Sequence, residues 1–264
     1  MINYLVRKAL LKTLGDEKYL SLVSNVFLKM FHSGKARKKY PEMYFLKNLV
    51  SEENTCIDIG ANVGYYSVPL AEIVGRAGKV FAVEPVELFR NVLAKNLKRY
   101  RVENMVEVIP FALGNTDNTE IEMGTPEVNG LVHFGYTKVL SSGEDKIRNT
   151  YKVKVYKPQT IFADLKELHF IKCDIEGYED KVIPEFIEII DKFKPSLQIE
   201  ICPKRNRELI ISLLKKLDYR VFYLMDYKLQ ELKELTDNLN RNCDLYFLQP
   251  ETIASLQLYR LSIK

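Results

Sequence analysis

The segment Asp58-Ile59-Gly60-Ala61-Asn62-Val63-Gly64 constrains the chain more than any other, because it sets an acid and two glycines between a short apolar run and a helical pattern. The run itself, Thr55-Cys56-Ile57-Asp58-Ile59, is too short for a helix and apolar almost throughout, so it reads as a strand buried on both faces. Glycine at the end of such a strand accepts positive φ and lets other backbone approach closely. Helical spacing follows over 65–74, and the unit repeats with a strand at 79–83, a helix over 86–100 and a strand at 105–109. Further on come strands at 169–173, 196–201, 219–224 and 244–248, with helices over 178–191 and 204–217. This alternation predicts a doubly wound α/β fold, with a mostly parallel, seven-stranded sheet and helices on both faces. Residues 115–160 break the rhythm with Gly124, Gly130, Gly135 and Gly143 and the alternating Tyr151-Lys152-Val153-Lys154-Val155-Tyr156. They predict an insertion with one or two antiparallel strands.

Residues 1–50 stand apart from the main unit, 51–264. Ile2, Leu5, Val6, Ala9, Leu10 and Leu14 recur at helical spacing, as do Tyr19, Leu22, Val23, Val26, Phe27 and Met30, with Gly15-Asp16 separating the two helices. Pro41 opens a third, short helix. The net charge is +4, yet residues 1–50 hold ten Lys/Arg against three acids, an excess of +7 that leaves −3 for the rest. The segment is expected to cap the sheet edge or a ligand pocket. Its alternatives are a peripheral contact with anionic lipid at the inner membrane face, a dimer interface and a nucleic-acid contact. No apolar run approaches the roughly 18 residues of a membrane span. Charges interrupt the N-terminus, so the chain is read as cytoplasmic. Cys56, Cys173, Cys202 and Cys243 form no CxxC pair and lie in or beside predicted strands, as small core residues rather than metal ligands or a redox pair. His32, His133 and His169 lack metal-ligand spacing, and no metal site is predicted.

Three motifs fall at the carboxyl ends of the first three strands, where doubly wound sheets bind ligands. The acid-x-Gly-x-x-x-Gly of 58–64 departs from the Gly-x-Gly-x-x-Gly that cradles a pyrophosphate. It suits a ligand with an amino-acid end and a positive centre: Asp58 attracts the cation, and loop amides bond the carboxylate. S-adenosylmethionine (SAM) is such a ligand. Glu84, in Val83-Glu84-Pro85, ends the second strand, where an acid accepts ribose hydroxyls. Phe111-Ala112-Leu113-Gly114 follows the third, placed to line an adenine. The competing readings are a dinucleotide site and an α/β fold with no ligand there.

In these segments the sequence resembles the FkbM-type methyltransferases. The matching stretches are Cys56-Ile57-Asp58-Ile59-Gly60-Ala61-Asn62-Val63-Gly64-Tyr65-Tyr66-Ser67, Phe81-Ala82-Val83-Glu84-Pro85 and Phe111-Ala112-Leu113-Gly114. Most specific is Ile171-Lys172-Cys173-Asp174-Ile175-Glu176-Gly177-Tyr178-Glu179, followed by Pro195-Ser196-Leu197-Gln198-Ile199-Glu200. The resemblance covers about residues 54–202 and leaves out the first 50. It implies SAM as cofactor, held by Asp58, Gly60, Ala61, Asn62, Gly64, Tyr65, Glu84, Pro85, Phe111, Ala112 and Asp174. It also implies O-methylation, commonly of a sugar hydroxyl in a glycan or glycosylated small molecule, without naming the acceptor.

Methyl transfer is an in-line displacement on an activated donor, so the protein must align the acceptor and often take its proton. Lys172 and Asp174 share one face of the fourth strand, Glu176 follows as that strand runs out, and Glu200 ends the neighbouring strand. These four are the candidate catalytic residues, since a carboxylate among others acquires a raised pKa and acts as a base. The alternatives are a Mg²⁺ ion held by the acids and a structural ion pair of Lys172 with one of them. Asp174-Ile175-Glu176-Gly177 stands where amino-group methyltransferases often carry an Asn-Pro-Pro-Tyr-like tetrapeptide, which favours an oxygen acceptor. Two other functions compete. An RNA methyltransferase would grip RNA through the basic N-terminus, against which stand the net acidic main unit and the lack of Trp. A non-catalytic SAM-binding scaffold would need no acidic constellation.

Overall fold

The computed structural model describes residues 4–140, 146–201, 204–233 and 244–261; Ile2, Gly143, Cys202 and Cys243 lie outside them. The N-terminal segment forms α1 (Tyr4–His32) and α2 (Pro41–Phe45). Then come β1 (Thr55–Ile59), α3 (Ser67–Val74), β2 (Lys79–Val83), α4 (Glu87–Tyr100) and β3 (Val106–Ile109). Next come β4 (Ala112–Leu113) and, in the insertion, β5 (Thr119–Val128), β6 (Leu131–Val132), β7 (Lys138–Val139) and β8 (Ile147–Tyr156). After the short α5 (Pro158–Ile161) follow β9 (Phe170–Cys173), α6 (Glu179–Val182), α7 (Ile187–Phe193), β10 (Ser196–Glu200) and α8 (Lys204–Lys215). The chain closes with β11 (Arg220–Met225), β12 (Lys228–Glu231), β13 (Asp244–Leu248) and α9 (Pro250–Leu261).

The main sheet runs β12-β11-β13-β10-β9-β1-β2-β3. From β10 to β3 every pairing is parallel, and β13 lies antiparallel to both neighbours. The chain steps outward from β1 to β2 and β3, then crosses to β9 and β10 on the other side. The crevice above β1 and β9 is therefore the topological switch point, where such sheets bind ligands.

Alternation along the strands divides the core between two faces. Ile57, Ile59, Ile171, Cys173, Leu197 and Ile199 pack with Val182, Phe186, Ile190, Ile210 and Leu214 from the second half of the chain. Cys56, Val80, Ala82 and Phe170 face α3 and α4 through Val68, Ala71, Leu93 and Leu97. Cys56 and Cys173 are free thiols within this packing, as expected of small core residues.

Three expectations need correction. The main sheet has eight strands, not seven. Its extra hairpin, β11–β12, turns through Asp226 and Tyr227, both at positive φ (48° and 60°). That is a type I′ geometry, which Asn-Gly or Asp-Gly usually announces and Asp-Tyr conceals. Residues 115–160 hold four strands rather than one or two, and with β4 they form a second, five-stranded sheet, ordered β4-β8-β5-β6 with β7 beside β5. The helix expected over 178–191 is broken, because Pro184 lacks an N–H and sits in a 3₁₀ turn between α6 and α7. The two N-terminal helices, in contrast, are separated as expected: Gly15 leaves helical geometry (φ 71°, ψ 170°) and kinks α1 between them.

α1 clamps α4 to the insertion. It buries Leu11, Tyr19 and Leu20 in a cluster with Val63, Phe89, Val92, Val132 and Phe134. Asn96 Nδ2 donates to Ser24 Oγ at 2.9 Å, and Glu17 pairs with Lys95. Asn149 Nδ2 donates to Asp16 at 3.1 Å, and Tyr4 Oη donates to the Asn129 carbonyl at 2.8 Å. Each fully buried Leu or Phe contributes about 1.5–3 kcal/mol, which holds the helix in place without help from the exposed ion pairs. No described helix is long and apolar enough to cross a membrane.

Candidate active site

The loop after β1 is shaped by a close backbone approach. Gly60 (φ 83°) lies so near β9 that a Cβ there would come within 1.9 Å of the Asp174 carbonyl oxygen. The amides of Gly60 and Ala61 both donate to the Val83 carbonyl at 3.0 Å, tying the loop to the end of β2. Gly64 (φ 92°) serves packing instead: a Cβ there would meet Leu93 Cδ1 at 2.6 Å, and Gly64 does not line the cavity above the loop.

Asp58 and Glu84 end β1 and β2, and both are buried. Asp58 Oδ2 accepts from Ser67 Oγ, the first residue of α3, at 2.6 Å. Burial pushes the Asp58 carboxyl up to about 6 against that hydrogen bond. Glu84 takes the Asn62 amide on Oε2 and the Val86 amide on Oε1, each at 2.8 Å, and burial pushes it up to about 7. Glu84 thus also shapes the loop, a role its position in the sequence did not reveal.

These groups floor a cavity of about 800 Å³. Gly60, Ala61, Asn62, Tyr65, Pro85, Ala112 and Asp174 line it as well. Phe111 does not. Its ring packs on Tyr156, centroids 4.7 Å apart, because β4 pairs with β8 and carries the following Ala112 and Leu113 to the wall in its place. The outer rim comes from Arg7, Tyr19 and Val23 of α1 and from His133–Thr137 of the insertion.

At the tips of β9 and β10 stand Asp174, Glu176 and Glu200. Burial and then the Asp174 carboxylate push both Glu176 and Glu200 up to about 8, and Glu200 hydrogen-bonds Asp174. Glu176 adopts φ 55°, in the left-handed region, and Gly177 follows at φ 98°. That turn is held from inside by Glu179 Oε1, which accepts from the amides of Gly177 (3.0 Å) and Ile175 (3.2 Å).

Lys172 is set differently from the other candidates. It is 1% exposed and lines an adjoining cavity, not the first. Its Nζ lies 2.9 Å from Asp244 Oδ1 and 3.7 Å from Asp174 Oδ2. Burial opposes its charge, but Asp244 and Asp174 outweigh that penalty and hold its pKa above the ordinary lysine value. Lys172 is therefore a fixed counter-ion. Among the described residues no group of three or more His, Cys, Asp and Glu is arranged to hold a metal ion.

The sequence reading missed Asp244, Gln198 and Tyr66, which complete this network. Gln198 Nε2 donates to Asp244 Oδ2 at 2.9 Å and to Tyr66 Oη at 3.1 Å. Asp244 sits opposite Glu200 in the antiparallel β10–β13 register. Its one sequence signal was an acid opening an otherwise apolar strand.

A mostly parallel sheet with a reversed strand, β13, set between β10 and β11, a glycine loop after β1 and buried acids at the ends of β1 and β2 define the class I, Rossmann-like methyltransferase fold. The model of the FkbM methyltransferase domain matches residues 58–221, and the chain belongs to that family. The crystal structure of an FkbM methyltransferase from Methylobacillus flagellatus is 20% identical, with a TM-score of 0.49 over 74% of this chain and 44% of that one. Protein-L-isoaspartate O-methyltransferase of Methanosarcina mazei is 33% identical over 60 residues, 23% of this chain and 25% of the relative. A probable cobalt-precorrin-6B C(15)-methyltransferase (decarboxylating) of Sulfurisphaera tokodaii is 25% identical over 99 residues, 38% and 50% of the two chains. The chain thus spans between a quarter and a half of the length of these relatives.

Proposed function

We propose that the chain transfers a methyl group from SAM to a hydroxyl, on a sugar, a glycan or a glycosylated small molecule. The observation that carries this reading is the meeting of two acidic sets on one cavity: Asp58 and Glu84 on the floor, Asp174, Glu176 and Glu200 across from them. The residues suit SAM. Gly60 lets the loop lie against the Asp174 carbonyl at the cavity floor, and the buried carboxyls favour a cationic ligand without phosphate. When bound, SAM supplies an activated methyl group on a sulfonium sulfur. The chain's part is to hold and to deprotonate. Asp58 receives the ammonium of the amino-acid end, and Glu84 receives the ribose. Glu176 and Glu200, pushed up to about 8, accept the hydroxyl proton, as a base with a pKa near the working pH does.

Calorimetry with S-adenosylhomocysteine tests the cofactor half. Asp58→Ala and Glu84→Ala are each expected to weaken binding by about tenfold or more while the proteins still melt cooperatively. Wild-type affinity in both would overturn the assignment. For the chemical half, Asp174→Asn and Glu176→Gln are expected to lower turnover by about 10² or more, far more than they lower S-adenosylhomocysteine affinity. The assay is transfer of labelled methyl into glycan and RNA fractions. Label entering RNA, and lost at high salt, would favour an RNA methyltransferase instead.

A further inference from the structure

The first cavity has a neighbour. A second chamber of about 620 Å³ adjoins it, and Lys39, Tyr40, Tyr65, Tyr66, Asp174 and Glu200 are among the residues that line both. This volume is within the range of small-molecule sites. The inner wall of the chamber comes from the sheet: Lys172 on β9, Asp244 and Tyr246 on β13. The outer wall comes from the N-terminal segment, through Phe27 and residues 39–43. That wall lies outside residues 58–221, the part matched by the family.

We propose that this chamber receives the acceptor, that residues 39–43 select it, and that it takes a hydroxyl-rich group bearing no carboxylate or phosphate. The inference rests on the methyl-transfer reading. Position supports it first. Asp174 and Glu200 stand in the partition, so a hydroxyl held in the chamber meets the carboxyls that also face the first cavity.

Charge supports it second. The ionisable lining is Glu42, Asp174, Glu200 and Asp244 against Lys39 and Lys172. Lys172 is held by Asp244 at 2.9 Å and Asp174 at 3.7 Å, and Lys39 is an exposed residue resting on the Tyr40 ring at 4.8 Å. The carboxyls already crowd one another: burial and then Asp244 push Glu42 up to about 7. An anionic acceptor would add a further negative charge to this group, a desolvated like-charge contact. Surface chemistry supports it third. Phe27, Tyr40, Tyr65 and Tyr66 offer flat apolar faces, and the carboxyls accept hydroxyl hydrogens. A sugar ring needs both.

Two bisubstrate probes test this by calorimetry. In each, nitrogen replaces the sulfur of S-adenosylhomocysteine and carries a short linker, ending in a methyl glucoside or in the matching glucuronide. The glucoside probe is expected to bind about tenfold tighter than the same compound without the sugar, and the glucuronide probe to gain nothing. Glu42→Gln and Glu42→Ala should remove most of the glucoside gain. Their affinity for S-adenosylhomocysteine should stay within about twofold of wild type, which also shows that the variants fold. Glu42→Lys should let the glucuronide gain affinity. Equal gain from both sugars, no gain from either, or a gain indifferent to residue 42 would overturn the acceptor assignment. Failure of S-adenosylhomocysteine itself to bind would instead overturn the methyl-transfer reading.

Discussion

The floor of the first cavity and the partition between the two chambers are built in opposite ways. The floor is local: Asp58, Gly60, Asn62, Ser67 and Glu84 belong to one strand–helix–strand unit. Its acids are met by a hydroxyl and by backbone amides, at 2.6 Å for Asp58 and 2.8 Å for Glu84. The partition is assembled from afar. Lys172 and Asp244 are 72 positions apart, and Gln198 and Tyr66 are 132 apart. Its acids are balanced by one buried ammonium and one buried amide. The floor should therefore fail when backbone geometry is disturbed, and the partition when charge is removed.

Gly60→Ala is the harshest way to break the first half of that comparison. The added methyl would lie 1.9 Å from the Asp174 carbonyl, at a φ of 83° that alanine resists. S-adenosylhomocysteine binding is expected to fall by about 10² or more, with a lowered melting temperature. Gly135→Ala, in the same cavity but with nothing within 4 Å, should change stability by less than about 0.5 kcal/mol. Similar behaviour of the two variants would mean that the floor is not shaped by backbone approach.

Lys172→Met tests the second half. It leaves Asp244 and Asp174 without their ammonium and is expected to cost about 3–5 kcal/mol in urea titration. Adding Asp244→Leu should restore part of the loss, because two apolar groups replace a broken pair. A cost below about 1 kcal/mol for the single variant would show that the partition is not held by charge.

A smaller effect separates the regions by pH. Asp58, Glu84, Glu42, Glu176 and Glu200 all have raised folded pKa values, about 6, 7, 7, 8 and 8. Between the unfolded values, 3.8 for Asp58 and 4.5 for the glutamates, and those values, the folded chain binds more protons than the unfolded one. Their stabilisation is complete below the unfolded value and is lost as pH rises through the folded one. The ligand-free protein should therefore melt higher at pH 5 than at pH 8.5. Glu176→Gln should flatten the upper part of that curve and Asp58→Asn the lower part. A melting temperature that rises over this range would contradict the burial of these groups.

The smallest effect concerns α1. Its inner face is a cap, but Leu22, Val26 and Met30 remain 41%, 45% and 43% exposed, with the exposed Lys18 and Lys29 on the same helix. Phosphatidylserine vesicles are expected to sediment a fraction of the protein at low salt and none at high salt, at about 1 kcal/mol per lysine near the surface. Leu22→Ser with Val26→Ser should abolish this. No sedimentation at low salt would leave α1 as a cap alone.

Much of this molecule was legible along the chain, because strand and helix preferences and glycine loops depend on near neighbours. β13 was read at its observed bounds, Asp244–Leu248, and β1, β2 and their loop almost as closely. Asp58, Gly60 and Glu84 were recognisable because chemistry and position coincide at the ends of successive strands. Most of the second sheet, and the turn from β11 into β12, were not legible. Short strands carry little periodicity, and a type I′ turn made by Asp226-Tyr227 lacks its usual glycine. Tertiary structure alone decided that Phe111 turns to Tyr156, that Lys172 answers to Asp244, and that Glu42 comes to the partition. Those outcomes depend on strand register and on which element packs over which. A side chain finds such a partner through the fold, at a distance that local preference cannot reach.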